Sequence, residues 1–169
     1  KKPITCIIGG SKISTKISII KNLISKFDNI IIVGGMANNI LRYKGNKIGK
    51  SIKEENCEFT INEIFETSKG YPCNIIYPKD VLVGKSKDDT PQIRELYEIQ
   101  EDDLILDIGP NTINLIKNII KSSETILWNG PAGYFENPNF AKGSYEIARA
   151  IIEKNKNESI YSVVGGGDT

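Results

Sequence analysis

The sequence has 169 residues, with 22 Lys plus Arg against 21 Asp plus Glu, a formal net charge of +1, three cysteines and no histidine. That length suits one domain with a real core, and the near-neutral balance argues against a large footprint for nucleic acid or an anionic membrane, which both need a basic excess. Without histidine the chain itself can build neither a Ser-His-Asp or Cys-His nucleophilic site nor a His-ligated metal, so its chemistry rests on carboxylates, lysines, amides and backbone groups.

In chain order, short apolar runs alternate with longer amphipathic stretches. Strands are predicted over 5–8, 30–33, 74–77, 104–108, 125–128 and 160–164. Between them, apolar residues three and four apart mark helices: Ile17, Ile20 and Ile24; Ile61, Ile64 and Phe65; Ile113, Ile116, Ile119 and Ile120; and Tyr145, Ala148, Ile151 and Ile152. A further helix is predicted over 37–43. This alternation is the pattern of a parallel sheet buried on both faces, so the fold class is α/β, a Rossmann-like three-layer sandwich with a mostly parallel sheet flanked by helices. The stretch 79–103 breaks the rhythm, with a short strand at 81–83, a charged turn at 84–89 and Pro91, and reads as an excursion from the sheet, a hairpin followed by a loop.

Cys6, Cys57 and Cys73 are odd in number and form no CxxC pair, which predicts a reduced, cytoplasmic chain. Apolar runs such as 4–8 and 30–33 fall far short of the roughly 20 residues that span a bilayer, and the start carries no signal-peptide pattern. The first residue is Lys1 rather than Met, so the chain is expected to be processed or cut from something longer.

The glycines gather where predicted strands end. Gly9-Gly10 follows the first strand, Gly34-Gly35 the second, Gly109-Pro110 the fourth, Gly130-Pro131-Ala132-Gly133 the fifth and Gly165-Gly166-Gly167 the last. Ligands of open α/β sheets lie outside the carboxyl ends of the strands, where glycine lets backbone N–H groups approach phosphate at helix N-termini. Turn geometry alone would explain one such pair, but repetition along the same predicted edge favours a ligand site.

Standard signatures do not match. No G-x-G-x-x-G fingerprint follows the first strand, which disfavours an NAD-dependent oxidoreductase. Residues 45–51, Gly-Asn-Lys-Ile-Gly-Lys-Ser, have a P-loop's residue types but not its spacing, and they follow a predicted helix, so they read as a solvated loop. A helix beginning near Ser14 would put Lys12 in the loop and Lys16 in the first turns, where both ammonium groups could reach one anion; solvated surface lysines are the alternative. Asp168 and Thr169 place a carboxylate and a hydroxyl beside a phosphate-compatible loop, which suits Mg²⁺, unless Asp168 caps a following helix.

Taken together, Gly9-Gly10-Ser11-Lys12-Ile13-Ser14-Thr15-Lys16, Gly34-Gly35-Met36-Ala37, Leu106-Asp107-Ile108-Gly109-Pro110, Trp128-Asn129-Gly130-Pro131-Ala132-Gly133-Tyr134-Phe135-Glu136 and Gly165-Gly166-Gly167-Asp168-Thr169 resemble, in order and spacing, the carboxy-terminal, nucleotide-binding half of phosphoglycerate kinase. The resemblance runs from about Pro3 to Thr169. It implies transfer of a phosphoryl group from 1,3-bisphosphoglycerate to ADP with Mg²⁺, giving 3-phosphoglycerate and ATP in glycolysis. It also implies that Lys12, with Gly166 and Gly167, serves the transferring phosphoryl group, that Lys16 contacts the nucleotide phosphates, and that Asp168 serves the metal. Gly34, Gly35 and Gly109 would line the adenine pocket, and Asn129, Gly130, Phe135 and Glu136 would hold the ribose and neighbouring phosphates. Gly10, Ser11, Pro131, Ala132 and Thr169 complete the implied nucleotide site.

Phosphoryl transfer needs in-line positioning and charge compensation rather than a protein nucleophile, so the lack of histidine is no obstacle to this half of the chemistry. Ser11 departs from the family's usual Ala, and Tyr77-Pro78-Lys79-Asp80 from its usual Leu-Pro-Val-Asp. The resemblance further implies a domain spanning 1–169, truncated after the Gly-Gly-Gly-Asp-Thr loop, with the amino-terminal phosphoglycerate-binding domain absent. Such a piece is expected to be monomeric, to bind nucleotide without nucleic acid or membrane as partner, and to be inactive alone. The alternative is a stand-alone, non-catalytic nucleotide-binding module.

Overall fold

The computed structural model describes residues 1–158 and 160–166. The elements are, in chain order, β1 (Ile4–Ile8), α1 (Ile17–Ile24), β2 (Asn29–Ile32), α2 (Gly35–Tyr43), α3 (Glu58–Ser68), β3 (Asn74–Ile76), β4 (Asp80–Gly84), β5 (Gln92–Glu95), β6 (Leu104–Ile108), α4 (Pro110–Ser122), β7 (Thr125–Asn129), α5 (Lys142–Asn157) and β8 (Tyr161–Gly165). Five strands form a parallel sheet in the order β3-β2-β1-β7-β8. Strand alternation divides its side chains between two cores. Cys6, Ile8, Ile30 and Ile32 pack with Ile20, Ile40, Ile61 and Ile64 of α1, α2 and α3. Ile7, Ile31, Ile126 and Trp128 pack on the opposite face with Ile113, Ile116, Ile120, Ile147 and Ile151 of α4 and α5. Helices therefore cover both faces, the three-layer arrangement expected from runs that are apolar at every position.

The expectation that the 104–108 run belongs to this sheet is corrected. β6 pairs antiparallel with β4, which also pairs antiparallel with β5, giving a separate three-stranded sheet in the order β5-β4-β6. A run buried on both faces looks alike in either sheet, and periodicity carries no information on its hydrogen-bonded neighbour. The hairpin expected after residue 79 is present as β4 and β5.

Three local expectations also shift. α1 starts at Ile17 with Lys16 at its N-cap, and residues 13–16 form a turn closed by Lys16 N–H on the Ile13 carbonyl at 3.0 Å. Ser14, near which the helix was expected to begin, is drawn onto Glu54. On α5 the buried face is Ile147, Ala150 and Ile151, while Tyr145 and Ile152 are exposed. The 45–51 loop is solvated only in part, with Gly45, Lys47 and Lys50 exposed. Ile48 and Ser51 are buried, and the Ser51 hydroxyl accepts the Ile105 N–H at 2.8 Å, tying the loop to β6.

Candidate functional site

The loops after β1, β2 and β7 meet at the carboxyl edge of the parallel sheet. Gly9 N–H donates to the Asn129 carbonyl at 2.7 Å, and Met36 N–H to the Gly10 carbonyl at 2.8 Å. Gly9 and Gly130 cross so closely that a methyl on Gly9 would lie 2.1 Å from the Pro131 carbonyl oxygen, and one on Gly130, at φ +91°, 2.4 Å from that of Gly9. Glycine at both positions is thus a condition for the crossing. A methyl on Gly34, at φ +70°, would meet Gly10 N at 2.9 Å.

These loops form one wall of a cavity of about 290 Å³ whose opposite wall is the small sheet. Gly10, Ser11, Gly34, Gly35, Pro131, Ala132, Phe135 and Glu136 all line it, together with Ile105, Leu106 and Val81. α2 begins at this wall, with Gly34 at its N-cap and no side-chain cap bond. Met36 N–H is spent on the Gly10 carbonyl and Ala37 N–H on the Gly34 carbonyl, so it is the helix dipole that favours an anion there.

Lys12, Lys16, Asn129 and Gly130 fall outside the cavity lining, which takes in Lys87 instead. Lys16 Nζ donates to Asn129 Oδ1 at 2.6 Å, bridging the loop after β1 to the end of β7. Lys12 is exposed beside Glu54. The Glu54 carboxylate accepts both the N–H and the hydroxyl of Ser14, and that hydroxyl bond leads the causes holding its carboxyl below the ordinary range, with the charge of Lys12 adding to it.

Gly109 falls outside the cavity lining. A methyl there would lie 2.3 Å from the Asp80 carboxyl carbon. Asp80 is fully buried and accepts the N–H groups of Asn111 at 2.9 Å and Thr112 at 2.8 Å, so the pair Gly109 and Asp80 serves the start of α4. Gly166, at φ +92°, follows β8 beside β7, whereas Gly167, Asp168 and Thr169 lie outside the described residues.

Sequence reasoning missed Asp107, which lines the cavity floor. Its carboxylate accepts Gly143 N–H at 2.9 Å and Ile108 N–H at 2.8 Å, which fixes the start of α5 and with it the loop carrying Phe135 and Glu136. Burial pushes this carboxyl up to about 7, against the lowering pull of those two N–H groups and Lys142. A lone carboxylate inside the apolar run of β6 was the available signal.

Among the described residues no group of three or more acidic or cysteine side chains could hold a metal ion. Asp107 and Glu54 are committed to protein donors, whereas Glu136 also lines the cleft. The cysteines are all free and buried, and desolvation raises the Cys6 thiol to about 12 and the Cys73 thiol to about 11. Neither thiol is a nucleophile at neutral pH.

Glycine loops and a helix N-terminus meeting over a cavity at the carboxyl edge of a parallel sheet define an α/β protein with a candidate ligand cleft. The family model for phosphoglycerate kinase matches residues 1–169, and the chain belongs to that family. The phosphoglycerate kinase of Wolbachia pipientis subsp. Culex pipiens (strain wPip) is 43% identical over 169 residues, covering 99% of this chain and 43% of that protein. That of Dictyoglomus turgidum is 44% identical over 171 residues, covering 100% of this chain and 42% of the relative. The structure of phosphoglycerate kinase from Coxiella burnetii superimposes with a TM-score of 0.93 at 35% identity, over 100% of this chain and 43% of that one. The chain thus spans less than half the length of the relatives it matches. Among the described residues, no helix is long and apolar enough to cross a membrane.

Proposed function

We propose that this chain is the nucleotide-binding half of a phosphoglycerate kinase, taking Mg-ADP or Mg-ATP in the cleft while a second half supplies the phosphoglycerate site. The observation carrying this reading is the convergence of the glycine loops after β1, β2 and β7 on one cavity. The apolar wall of Val81, Ile105 and Leu106 suits the face of a purine, and Gly34 and Gly35 allow its close approach. Phe135 and Glu136 stand where the ribose and inner phosphates would pass. Lys16, held on Asn129, would compensate nucleotide phosphate charge. Lys12, exposed on the loop after β1, would meet the phosphoryl group in flight between ADP and the acyl phosphate.

Asp168 is the assigned carboxylate for Mg²⁺, with Gly166, Gly167 and Thr169 beside the phosphates. The bound ion would supply charge compensation on phosphate oxygens. In this reading the whole enzyme is a monomeric, cytoplasmic participant in glycolysis, with neither nucleic acid nor membrane as partner, and the present chain alone does not turn over phosphoglycerate.

Calorimetry of the folded chain with Mg-ADP is expected to show weak saturable binding, and no heat above buffer would overturn the site. Substantial phosphoglycerate turnover by the chain alone would overturn the assignment of the second substrate to another half. In the whole enzyme, Lys12→Ala is expected to lower kcat far more than nucleotide affinity, as for a group acting chiefly in the transition state. Equal losses in both would make Lys12 a binding residue only.

A further inference from the structure

The segment 51–57 between α2 and α3 lies over α2 as a strap. Its backbone is pinned at three points: Asn38 Nδ2 donates to the Ile52 carbonyl at 3.0 Å, Glu54 N–H donates to Asn39 Oδ1 at 2.7 Å, and Arg42 Nη2 donates to the Glu54 carbonyl at 2.8 Å. Asn38 and Asn39 are buried polar residues on a helix whose neighbours are apolar, and holding the strap accounts for both. From this fixed backbone the Glu54 side chain crosses to the loop after β1, where its two oxygens take Ser14 N–H, at 3.1 Å, and the Ser14 hydroxyl. Lys12 is thus bracketed. On one side Met36 N–H holds the Gly10 carbonyl at 2.8 Å, and on the other Ile13 is fully buried and Ser14 is gripped by Glu54.

We propose that Glu54 is a positioning residue: it fixes the backbone that presents Lys12 to the phosphate end of the cleft, relaying the rigidity of α2 to the loop after β1. The inference rests on the kinase reading for the role of Lys12, but its geometry is independent of that reading. Lys12 has no side-chain hydrogen bond among the described residues, so its aim depends on its main chain. A four-bond lysine stem on a wandering loop would sample the transferring group only part of the time, and the loss would fall on turnover rather than on nucleotide binding. Glu54 also places a negative charge beside Lys12. That charge can hold the ammonium until a phosphate oxygen displaces it.

The test pairs Glu54→Ala with Glu54→Gln. In the whole kinase, E54A is expected to lower kcat by about tenfold while the KM for Mg-ADP stays within about threefold. E54Q, whose amide oxygen can take the Ser14 N–H while its NH2 donates to the Ser14 hydroxyl oxygen, is expected to recover most of kcat. Hydrogen exchange is the readout independent of activity: amides of residues 13–16 should exchange faster in E54A than in the parent, with β2 and α2 unchanged. A kcat within twofold of the parent in E54A, or unchanged exchange at 13–16, would overturn the proposal. So would a fall in kcat that merely tracks loss of folded protein. An inactive parent enzyme would count against the kinase reading alone, and the exchange measurement would still decide on Glu54.

Discussion

The inner strands of the parallel sheet are held by two isoleucine-rich cores, whereas the small antiparallel sheet joins two smaller apolar clusters to a set of buried carboxylates. Asp80, Asp103 and Asp107 all lie in or next to its strands, and each accepts backbone N–H groups. Asp80 holds the start of α4 and Asp107 the start of α5, while Asp103 holds Gln100 N–H at 2.7 Å along with Lys85 Nζ at 2.7 Å and Arg94 Nε at 3.2 Å. The two halves therefore tolerate different changes. Apolar packing is non-directional and fails by leaving a cavity, but a buried carboxylate fails by orphaning the donors around it.

The largest effect should come from the apolar half. Ile31 is fully buried in β2 with Ile7 and Ile76 as its in-register neighbours, so Ile31→Ala should cost about 4 kcal/mol in urea unfolding. A cost below about 2 kcal/mol would mean that this core collapses around the gap. Next comes Asp80→Ala, expected to cost about 3 kcal/mol, because it strips acceptors from Asn111 N–H and Thr112 N–H and from the Thr112 hydroxyl at 2.7 Å. Exchange should quicken first at the α4 start. Uniform loss across both sheets would blur the contrast between them.

The unequal legibility of the two halves has the same origin. Runs such as 6–8 and 30–33 declare themselves as strands because every position is apolar, and the glycines after them were readable because a close crossing tolerates nothing larger. Which strands pair was not readable for 104–108, since its apolar residues fit either sheet. Asp80, Asp107 and Glu54 were also invisible as anchors. Their partners are backbone N–H groups far away in sequence, which no spacing rule connects. Gly109 shows the cost: it sits in a ligand-like motif, yet what excludes a side chain there is the Asp80 carboxylate.

The pH dependence sharpens the comparison further. Asp107 has its carboxyl raised to about 7 by burial, so between about pH 4 and 7 the folded state binds more protons than the unfolded chain. Stability contributed there is present at low pH and declines as pH rises through that window. Asp107→Asn should remove this slope in unfolding measured at intervals from pH 4 to 8. A slope that persists in the variant would place its origin elsewhere.

Asp103 should show the opposite sign and the smallest effect. Its side chain is buried, which pushes its carboxyl up, but Lys85, Gln100 N–H and Arg94 together outweigh burial and hold it below its ordinary 3.8. The stability it contributes is therefore complete above that value and is lost as pH falls below it. Lys85 is partly exposed and shares itself with Asp102, so solvent weakens its part, and Lys85→Met should cost less at pH 7 than either substitution above. That cost should shrink as acid protonates Asp103 and removes the charge Lys85 attends. Two carboxylates in one small sheet would then bend the stability curve in opposite directions, Asp107 on its neutral side and Asp103 on its acid side. A Lys85→Met cost that is independent of pH would show that the lysine stem contributes by packing against the 84–89 turn rather than by pairing with Asp103.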